Sequence, residues 1–428
     1  MFRRAPKPDG RALLFVFLTV FMSMIGMGII IPVMPELIMS LTGRSEADSA
    51  ALNGYLLFVY AVMQFIMSPI LGALSDRFGR RPILLLSLLA YALDYLLMAL
   101  APTYALLFLG RMLSGGFAAT YATANAFIAD ISPPEKRAAN FGLMGAAFGL
   151  GFIIGPAIGG WVGSFDPRYP FLLASAVVFA NLLFGYLVFP ETVTAERRRP
   201  FQWRRANPLG GLISVSKHKV VFGVLMAYFL MQFSHHALTA VWAFFAKAKY
   251  GWDEAQIGWS ISYVGLTAAF MQGLVVRRTI PQIGETRAVI IGIAAMSVSM
   301  VGYALFSPNW IALLAWVTLG SAGGFMMPGM QGIMSRATPA DSQGELQGAI
   351  ASLMSLTMAF SPLTMTQIFK HYADREGAPD FPGAPFIVSA IILLVALIPF
   401  AWAMRQVPPK AESADKRGMD PAAKPATP

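Results

Sequence analysis

Long apolar stretches alternate with short polar ones along the whole chain. Near 12 to 39, 53 to 74, 83 to 101, 104 to 129, 139 to 163, 170 to 189, 219 to 246, 255 to 276, 287 to 306, 309 to 334, 344 to 369 and 384 to 404 the residues are almost continuously hydrophobic. Each stretch has the length of a helix crossing a bilayer, which takes about 20 residues. The pattern predicts an all-α integral membrane protein with twelve transmembrane helices, and an even number of spans puts both chain ends on one side of the membrane.

Composition agrees with that reading. Hydrophobic residues make up 56% of 428 and charged residues only 13%, about half the globular norm of about 25%. A soluble protein this apolar would lack the polar surface to cover itself. The net charge of +10 does not point to nucleic acid, because the basic residues are scattered through short turns instead of forming one patch. With alternate loops assigned to the cytoplasm, 25 of the 32 Lys and Arg fall on that side and 6 on the other, Arg111 lying within a span. This asymmetry predicts an N-in, C-in topology. The apolar segment after Arg3, Arg4, Lys7 and Arg11 is too long for a cleaved signal, so the first helix is expected to stay. With no cysteine, disulfides, thiolate metal sites and cysteine nucleophiles are excluded.

An internal repeat divides the chain. Ser132-Pro133 recurs as Thr338-Pro339, Gly142 as Gly348 and Pro156 as Pro362, each 206 residues on. The expected organisation is a six-helix half at 1–190, a cytoplasmic linker at 191–215, a second six-helix half at 216–406 and a disordered cytoplasmic tail at 407–428. The linker carries Arg197, Arg198, Arg199, Arg204 and Arg205, which also suit a surface of anionic lipid headgroups. Two pseudo-symmetric bundles are what transporters are built from, with the substrate site at the midplane between them.

The turn from Gly72 to Arg81 (GALSDRFGRR) packs two glycines, an acid and three arginines between two spans. It is too short to fold alone and must join two helices on the cytoplasmic side. A degenerate copy follows at Gly273, Arg277, Arg278 and Gly284.

Polar groups inside the spans are the candidates for chemistry. Asp94 is the only acid deep in a span, about 18 Å from the cytoplasmic end at about 1.5 Å per residue. The ionised form is costly there, so Asp94 is predicted to bind and release a coupling proton. Arg111 lies at equal depth across the turn at Pro102-Thr103 and cannot lose its charge. It fits a pair with Asp94, with an anionic substrate group, or with helix carbonyls; a static Asp94–Arg111 pair fixing helix register is the plain structural alternative. The amides Gln64, Asn125, Asn181, Gln232, Gln272 and Gln331 suit interhelical hydrogen bonds as well as substrate contacts. Of these, Gln64, Asn125, Gln232 and Gln331 are the expected substrate contacts. His235 and His236 are adjacent, so about 100° apart on a helix. At most one faces a central cavity, as a second proton site or as a histidine bonded to a neighbouring helix. Gly145 and Gly149, then Gly151, Gly155 and Gly159, repeat every four residues beside Gly160 and Pro156. Such strips let another helix approach closely, and the proline bends its own helix.

The pattern GxxxDRxGRR resembles the signature of the major facilitator superfamily of transporters, and GFIIGPAIGG resembles the motif of its drug antiporters. DRFGRRPILLLSLLAYALDYLL, LGRMLSGGFAATYA, GAAFGLGFIIGPAIGG, GMGIIIPVMP and MMPGMQGIMS with GELQGAIASL are similar to the tetracycline-resistance branch of the drug/proton antiporters. The resemblance implies a twelve-helix antiporter that exchanges cytoplasmic drug for an inward proton across a bacterial cytoplasmic (inner) membrane. It also implies gating by Gly72, Asp76, Arg77, Gly79, Arg80 and Arg81, and coupling or binding by Asp94, Arg111 and Gln64. Three acidic or histidine positions of that branch are Ser23, Ala268 and Met296 here, which argues against tetracycline itself as a strong substrate, with His235 and His236 as the available replacements.

The expectation is a proton-coupled exporter of amphipathic small molecules, acting as a monomer in membrane lipid. It takes protons and a small-molecule substrate as partners, no nucleic acid and no cofactor; Mg²⁺ would enter only as a drug chelate. The rivals are an uptake symporter on the same fold and a membrane-embedded scramblase or sensor. No phosphate loop, metal cluster or nucleophile with an adjacent base suggests an enzyme.

Overall fold

The computed structural model describes residues 10–118, 120–132, 134–188, 191, 218–305, 310–339, 342–373 and 380–406. Arg3, Arg4 and Lys7, the Arg11 side chain, the arginines of the linker and residues 407–428 lie outside what is described. The first repeat comprises α1 (Gly10–Ile30), α2 (Met34–Thr42), α3 (Glu46–Phe78), α4 (Arg80–Leu100), α5 (Tyr104–Gly116), α6 (Thr120–Ile131), α7 (Pro134–Gly163) and α8 (Tyr169–Val188). The second comprises α9 (Lys219–Tyr250), α10 (Glu254–Phe270), a π-helical segment Met271–Val276, α11 (Arg277–Ile283), α12 (Glu285–Leu305), α13 (Trp310–Ser321), a 3-10 segment Ala322–Phe325, α14 (Met326–Ala337), α15 (Gln343–Ala373) and α16 (Ala384–Arg405). No strand occurs among the described residues.

Local sequence sets the helix ends. Asp253 and Gln256 form a reciprocal capping box at the start of α10, and the Ser45 hydroxyl accepts from the Asp48 N–H at the start of α3. Both arrangements satisfy amides that have no intrahelical partner. Gly79, at φ 111°, lets the chain reverse between α3 and α4 with one residue between the helices; a side chain would be strained there.

Counting α10–α11 and α13–α14 each as one, eleven helices among the described residues are long and apolar enough to cross a membrane. The expected fourth span, near 104 to 129, is the exception, because it breaks between α5 and α6 just after Gly115-Gly116. A Cβ on Gly115 would strike the Tyr60 carbonyl oxygen, so close packing on α3 requires glycine where the helix is then weakest. The 3-10 segment lies 206 residues beyond this break, so both repeats interrupt the same helix at the same place. Pro69 in α3 is likewise matched by Val275 within the π segment.

Within the first repeat α1 packs on α7 and α8, α4 on α8, and α3 on α5; within the second, α9 packs on α15 and α16, and α12 on α16. Leu93, Leu100, Leu187, Ile311 and Ile398 stand exposed, as side chains covered by lipid do. The repeats meet along two seams, α3 with α15 and α7 with α10. Those seams are tight at one end only. Away from the Gly72–Arg81 turn, Gly54 abuts Thr366, Gly160 abuts the Glu254 backbone and Gly258 abuts that of Pro156. Ion pairs reinforce the closure. Lys370 on α15 meets Asp48 on α3 at 2.8 Å, and Lys247 on α9 meets Glu36 on α2 at 2.5 Å and Glu254 at 3.2 Å. Toward the end bearing the Gly72–Arg81 turn, a Cβ on Gly72, Gly142, Gly145, Gly149, Gly273, Gly344 or Gly348 would touch nothing within 4 Å. The repeats therefore part toward this basic end.

Candidate functional site

Asp94 and Arg111 face the same interface between the antiparallel helices α4 and α5. Both are buried, at 5% and 8% exposure. A Cβ on Gly110 would lie 2.9 Å from Asp94 Oδ1 and 2.7 Å from Leu97 Cδ2, so glycine there lets α5 come against the carboxyl group. Of the alternatives for Arg111, a salt bridge with Asp94 is not formed. The Asp94 oxygens make no close, well-directed hydrogen bond, the Ser114 hydroxyl being the donor nearest to them, while Arg111 Nη2 donates to Met98 Sδ at 3.1 Å and its guanidinium lies 5.6 Å from the centre of the Tyr60 ring. The Ser114 hydroxyl, one turn beyond, donates to the Arg111 carbonyl at 3.3 Å. A register-fixing Asp94–Arg111 pair is thus not what holds these two helices together.

Three tyrosines complete the cluster, and reading the sequence for charges and amides passed over them. The Tyr60 and Tyr91 hydroxyls are 2.8 Å apart, the Tyr91 and Tyr95 rings stack at 6.4 Å, and the Tyr95 hydroxyl lies where a Cβ on Gly26 of α1 would meet it at 3.0 Å. The available signal was spacing, since Tyr91 precedes Asp94 by three residues and shares its helix face. Gln64, one turn beyond Tyr60 on α3, is half-buried.

The histidines sit at the middle of α9. His235 is exposed together with Thr239 one turn on, although α9 is otherwise mostly buried around them, whereas His236 is half-buried with an unpartnered Nε2. Their rings lie 6.3 Å apart, and of the two His235 is the more accessible. Gln232 is buried and Gln331 half-buried; the Asn125 side chain lies outside the described residues. Asn181 has a structural partner, accepting from the Thr19 hydroxyl at 3.3 Å.

In the basic turn Arg80 is the hub. It pairs with Asp76 at 2.6 Å and with Asp130 of α6 at 3.3 Å, and it donates to Ser75 at 2.6 Å. The Glu191 carboxylate accepts the backbone N–H groups of Arg80 and Arg81, at 2.9 and 3.2 Å, and crowds the space beside Gly79. This places an anion on the N-terminus of α4, where the helix dipole favours it. Arg81 donates to the Tyr186 carbonyl at 2.6 Å, Arg77 lies over the Phe78 ring at 5.1 Å, and Gly72 faces open space. All these contacts stay within the first repeat and Glu191 just after it. In the second repeat Arg336 of α14 forms a bidentate pair with Glu285 of α12.

The glycine strip of α7 divides by depth. Gly151, Gly155 and Gly159 press on the α1 backbone at Phe21, Ile25 and Ile29, Pro156 is buried, and Gly160 meets α10. The expected continuation through Gly145 and Gly149 packs on nothing; with the basic end parted, no helix reaches them. Ser23 donates to the Thr19 carbonyl at 2.7 Å, Ala268 is half-buried and Met296 buried, so none of the three adds a titratable group.

The family model described as the Major Facilitator Superfamily matches residues 16–362 and 224–428. The tetracycline resistance protein, class C, of Escherichia coli is 38% identical over 390 residues, covering 91% of this chain and 96% of that protein. The class E protein of Escherichia coli is 35% identical over 393 residues, covering 91% and 94%. Among solved structures, the nucleoside transporter NupG superposes with a TM-score of 0.75 at 13% identity, over 92% of this chain and 100% of that one; at that identity the likeness concerns the fold.

Proposed function

The chain belongs to the Major Facilitator Superfamily, and on that premise we propose that it is a proton-coupled antiporter exporting amphipathic small molecules, tetracycline-like drugs among them. It is a multi-pass membrane transporter and not an enzyme. The finer reading has twelve spans in two six-helix halves joined by the linker, both chain ends in the cytoplasm, and a place in the bacterial inner membrane. The charge asymmetry across alternate loops supports it. On this orientation the basic end is cytoplasmic and the parted seams form an inward-open vestibule. Protons and substrate are its partners, no resident cofactor is needed, and a monomer suffices.

The observation that carries the coupling is Asp94, buried without a close hydrogen bond beside a guanidinium it does not pair with. A carboxyl group so placed is costly when charged and uncompensated, so its proton occupancy is tied to whatever approaches it. Substrate entering from the cytoplasm requires the deprotonated form; protonation from outside expels substrate. Relatives named as tetracycline resistance proteins support drug as cargo, and Ser23, Ala268 and Met296 favour cargo other than tetracycline itself. Gln64, Asn125, Gln232 and Gln331 are the proposed polar contacts, with His235 as a second titratable group. Closing the basic end would bring the Gly72–Arg81 turn and the unpacked glycines of α3, α7 and α15 into contact, latching the outward-open state.

The test is proton-driven drug efflux in inverted membrane vesicles. Wild type should accumulate drug under an imposed proton gradient and the Asp94→Asn variant should not; full activity in the variant would remove Asp94 from the coupling role. Accumulation in right-side-out vesicles would instead identify an uptake symporter.

A further inference from the structure

The two repeats close at the outer end over more acid than base. Lys247 of α9 sits between Glu254 of its own repeat, at 3.2 Å, and Glu36 of α2 across the seam, at 2.5 Å. Lys370 of α15 is matched by Asp48. Glu46, in the first turn of α3, is the carboxylate left over. It is half-buried, makes no hydrogen bond or ion pair of its own among the described residues, and stands in the fields of both Lys247 and Glu36. The other described cations of this end are engaged elsewhere or face water. Lys249 is spent on the carbonyls of Tyr303 and Ala304 and Arg168 on that of Ala99, while Arg44 stays exposed in the turn before α3. Of the remaining titratable neighbours, Tyr104 of α5 donates its hydroxyl to the Leu52 carbonyl and His371 of α15 lies against the Tyr372 ring. Where the seam is tight, the carboxylates Glu36, Glu46, Asp48 and Glu254 therefore share Lys247 and Lys370.

We propose that closing the outer seam takes up a proton from outside at Glu46, so that the acidity of the outer medium sets how readily the emptied transporter recloses. Which end is outside rests on the orientation proposed above. While the seam is open, Glu46 stands in water with the proton affinity of any exposed carboxylate. Closure buries it, which disfavours the charge. Lys247 offsets part of that cost and Glu36 adds to it, and the balance holds the carboxyl group of the closed form, at the rim and ahead of the apolar span that begins near 53, above the ordinary carboxylate range. The closed form thus binds the proton more tightly than the open one, so acid favours closure, and that preference is lost as the pH rises through the closed-state value. Because Glu46 keeps contact with the outer medium, its proton returns outside on reopening. The device therefore adds nothing to the stoichiometry of exchange and acts apart from Asp94.

The test is a spin-label distance across the outer end, read by double electron–electron resonance on the purified full-length protein. A chain without cysteine allows one label on each repeat, at Thr103→Cys and Ile311→Cys, both exposed at that end. On lowering the pH from about 7.5 to about 5.5, the ratio of closed to open distances should rise by about threefold or more, with Asp94 present and also in an Asp94→Asn background, where the buried acid of α4 no longer titrates. In that background Glu46→Gln should hold the seam closed at both pH values and abolish the shift, while Glu46→Asp should keep it. Lys247→Gln should open the seam at the higher pH and leave acid able to reclose it. A misfolded protein cannot tighten with one substitution and loosen with the other. A shift that Glu46→Gln leaves unchanged, no shift at all, or opening on acidification would overturn the proposal. The export reading fails separately. Accumulation of drug in right-side-out vesicles would refute export with the pH shift intact, and an unresponsive seam would leave the Asp94-dependent efflux untouched.

Discussion

Asp130 and Arg336 stand 206 residues apart, at the same point of the two repeats, with opposite charges. Asp130 near the end of α6 takes Arg80 from the start of α4, and Arg336 near the end of α14 takes Glu285 from the start of α12. The same pin is built twice with its signs reversed. What each repeat requires at this place is a pair, and either orientation of the charges satisfies the backbone.

Reversing the second pin should therefore be tolerated. Glu285→Arg or Arg336→Glu alone sets like charges together and should reduce folded transporter, by about 1 kcal/mol or less for so exposed a pair. The double exchange should restore the yield in fluorescence-detected size-exclusion chromatography. Exchanging Arg80 and Asp130 should not restore it, because Arg80 also holds Asp76 and Ser75.

Glycines on α7 should separate stability from transport. Gly159→Ala drives a methyl group into the Ile29 backbone and should cost about 1–3 kcal/mol, visible as a lowered Tm. A Cβ on Gly145 meets nothing within 4 Å, so Gly145→Leu should leave the Tm nearly unchanged while lowering efflux, because in the proposed cycle the seam must close over it. Unchanged efflux in Gly145→Leu would show that the basic end never closes on that face.

At the far end, Lys370→Asp should loosen the clasp with Asp48. Ser49, next to Asp48 on α3, is fully buried, and a chain without cysteine allows Ser49→Cys to be labelled alone. Maleimide labelling from outside should rise about two- to fivefold with Lys370→Asp, and Asp48→Lys added to Lys370→Asp should reverse the rise.

Tyr60 makes two separable contributions. Tyr60→Phe loses the hydroxyl contact with Tyr91 and keeps the ring beneath Arg111, so efflux should be largely retained. Tyr60→Leu removes the ring as well and should lower kcat/KM for efflux by about tenfold.

Charges were legible in the sequence because hydrocarbon makes them conspicuous: Asp94, Arg111 and the Gly72–Arg81 turn all stood out against apolar flanks. The tyrosines did not. Tyrosine suits lipid, core and interface alike, and nothing in 13 of them separates Tyr60, Tyr91 and Tyr95 from the rest until α3, α4 and α5 are brought together. The break between α5 and α6 had its mark in Gly115-Gly116, but hydropathy averages over such a pair and returned one span. The four-residue spacing of Gly145 and Gly149 predicts a packed strip, but spacing records which face they share and not the state in which that face is covered. The closure by Lys247, Glu36 and Lys370 joins residues far apart in the chain, which no local pattern contains.

The π-helical segment at Met271–Val276 holds one residue more than an α-turn would accommodate, and it lies just ahead of Arg277 and Arg278. Such a spare residue can be passed along a helix at small cost, since each step exchanges one backbone hydrogen bond for another. Rewinding it to α geometry would turn everything beyond it by about 100° and advance it by about 1.5 Å. The eighth span thus has the means to re-aim two arginines at the membrane surface by changing its winding, while the rest of the helix stays where it is packed.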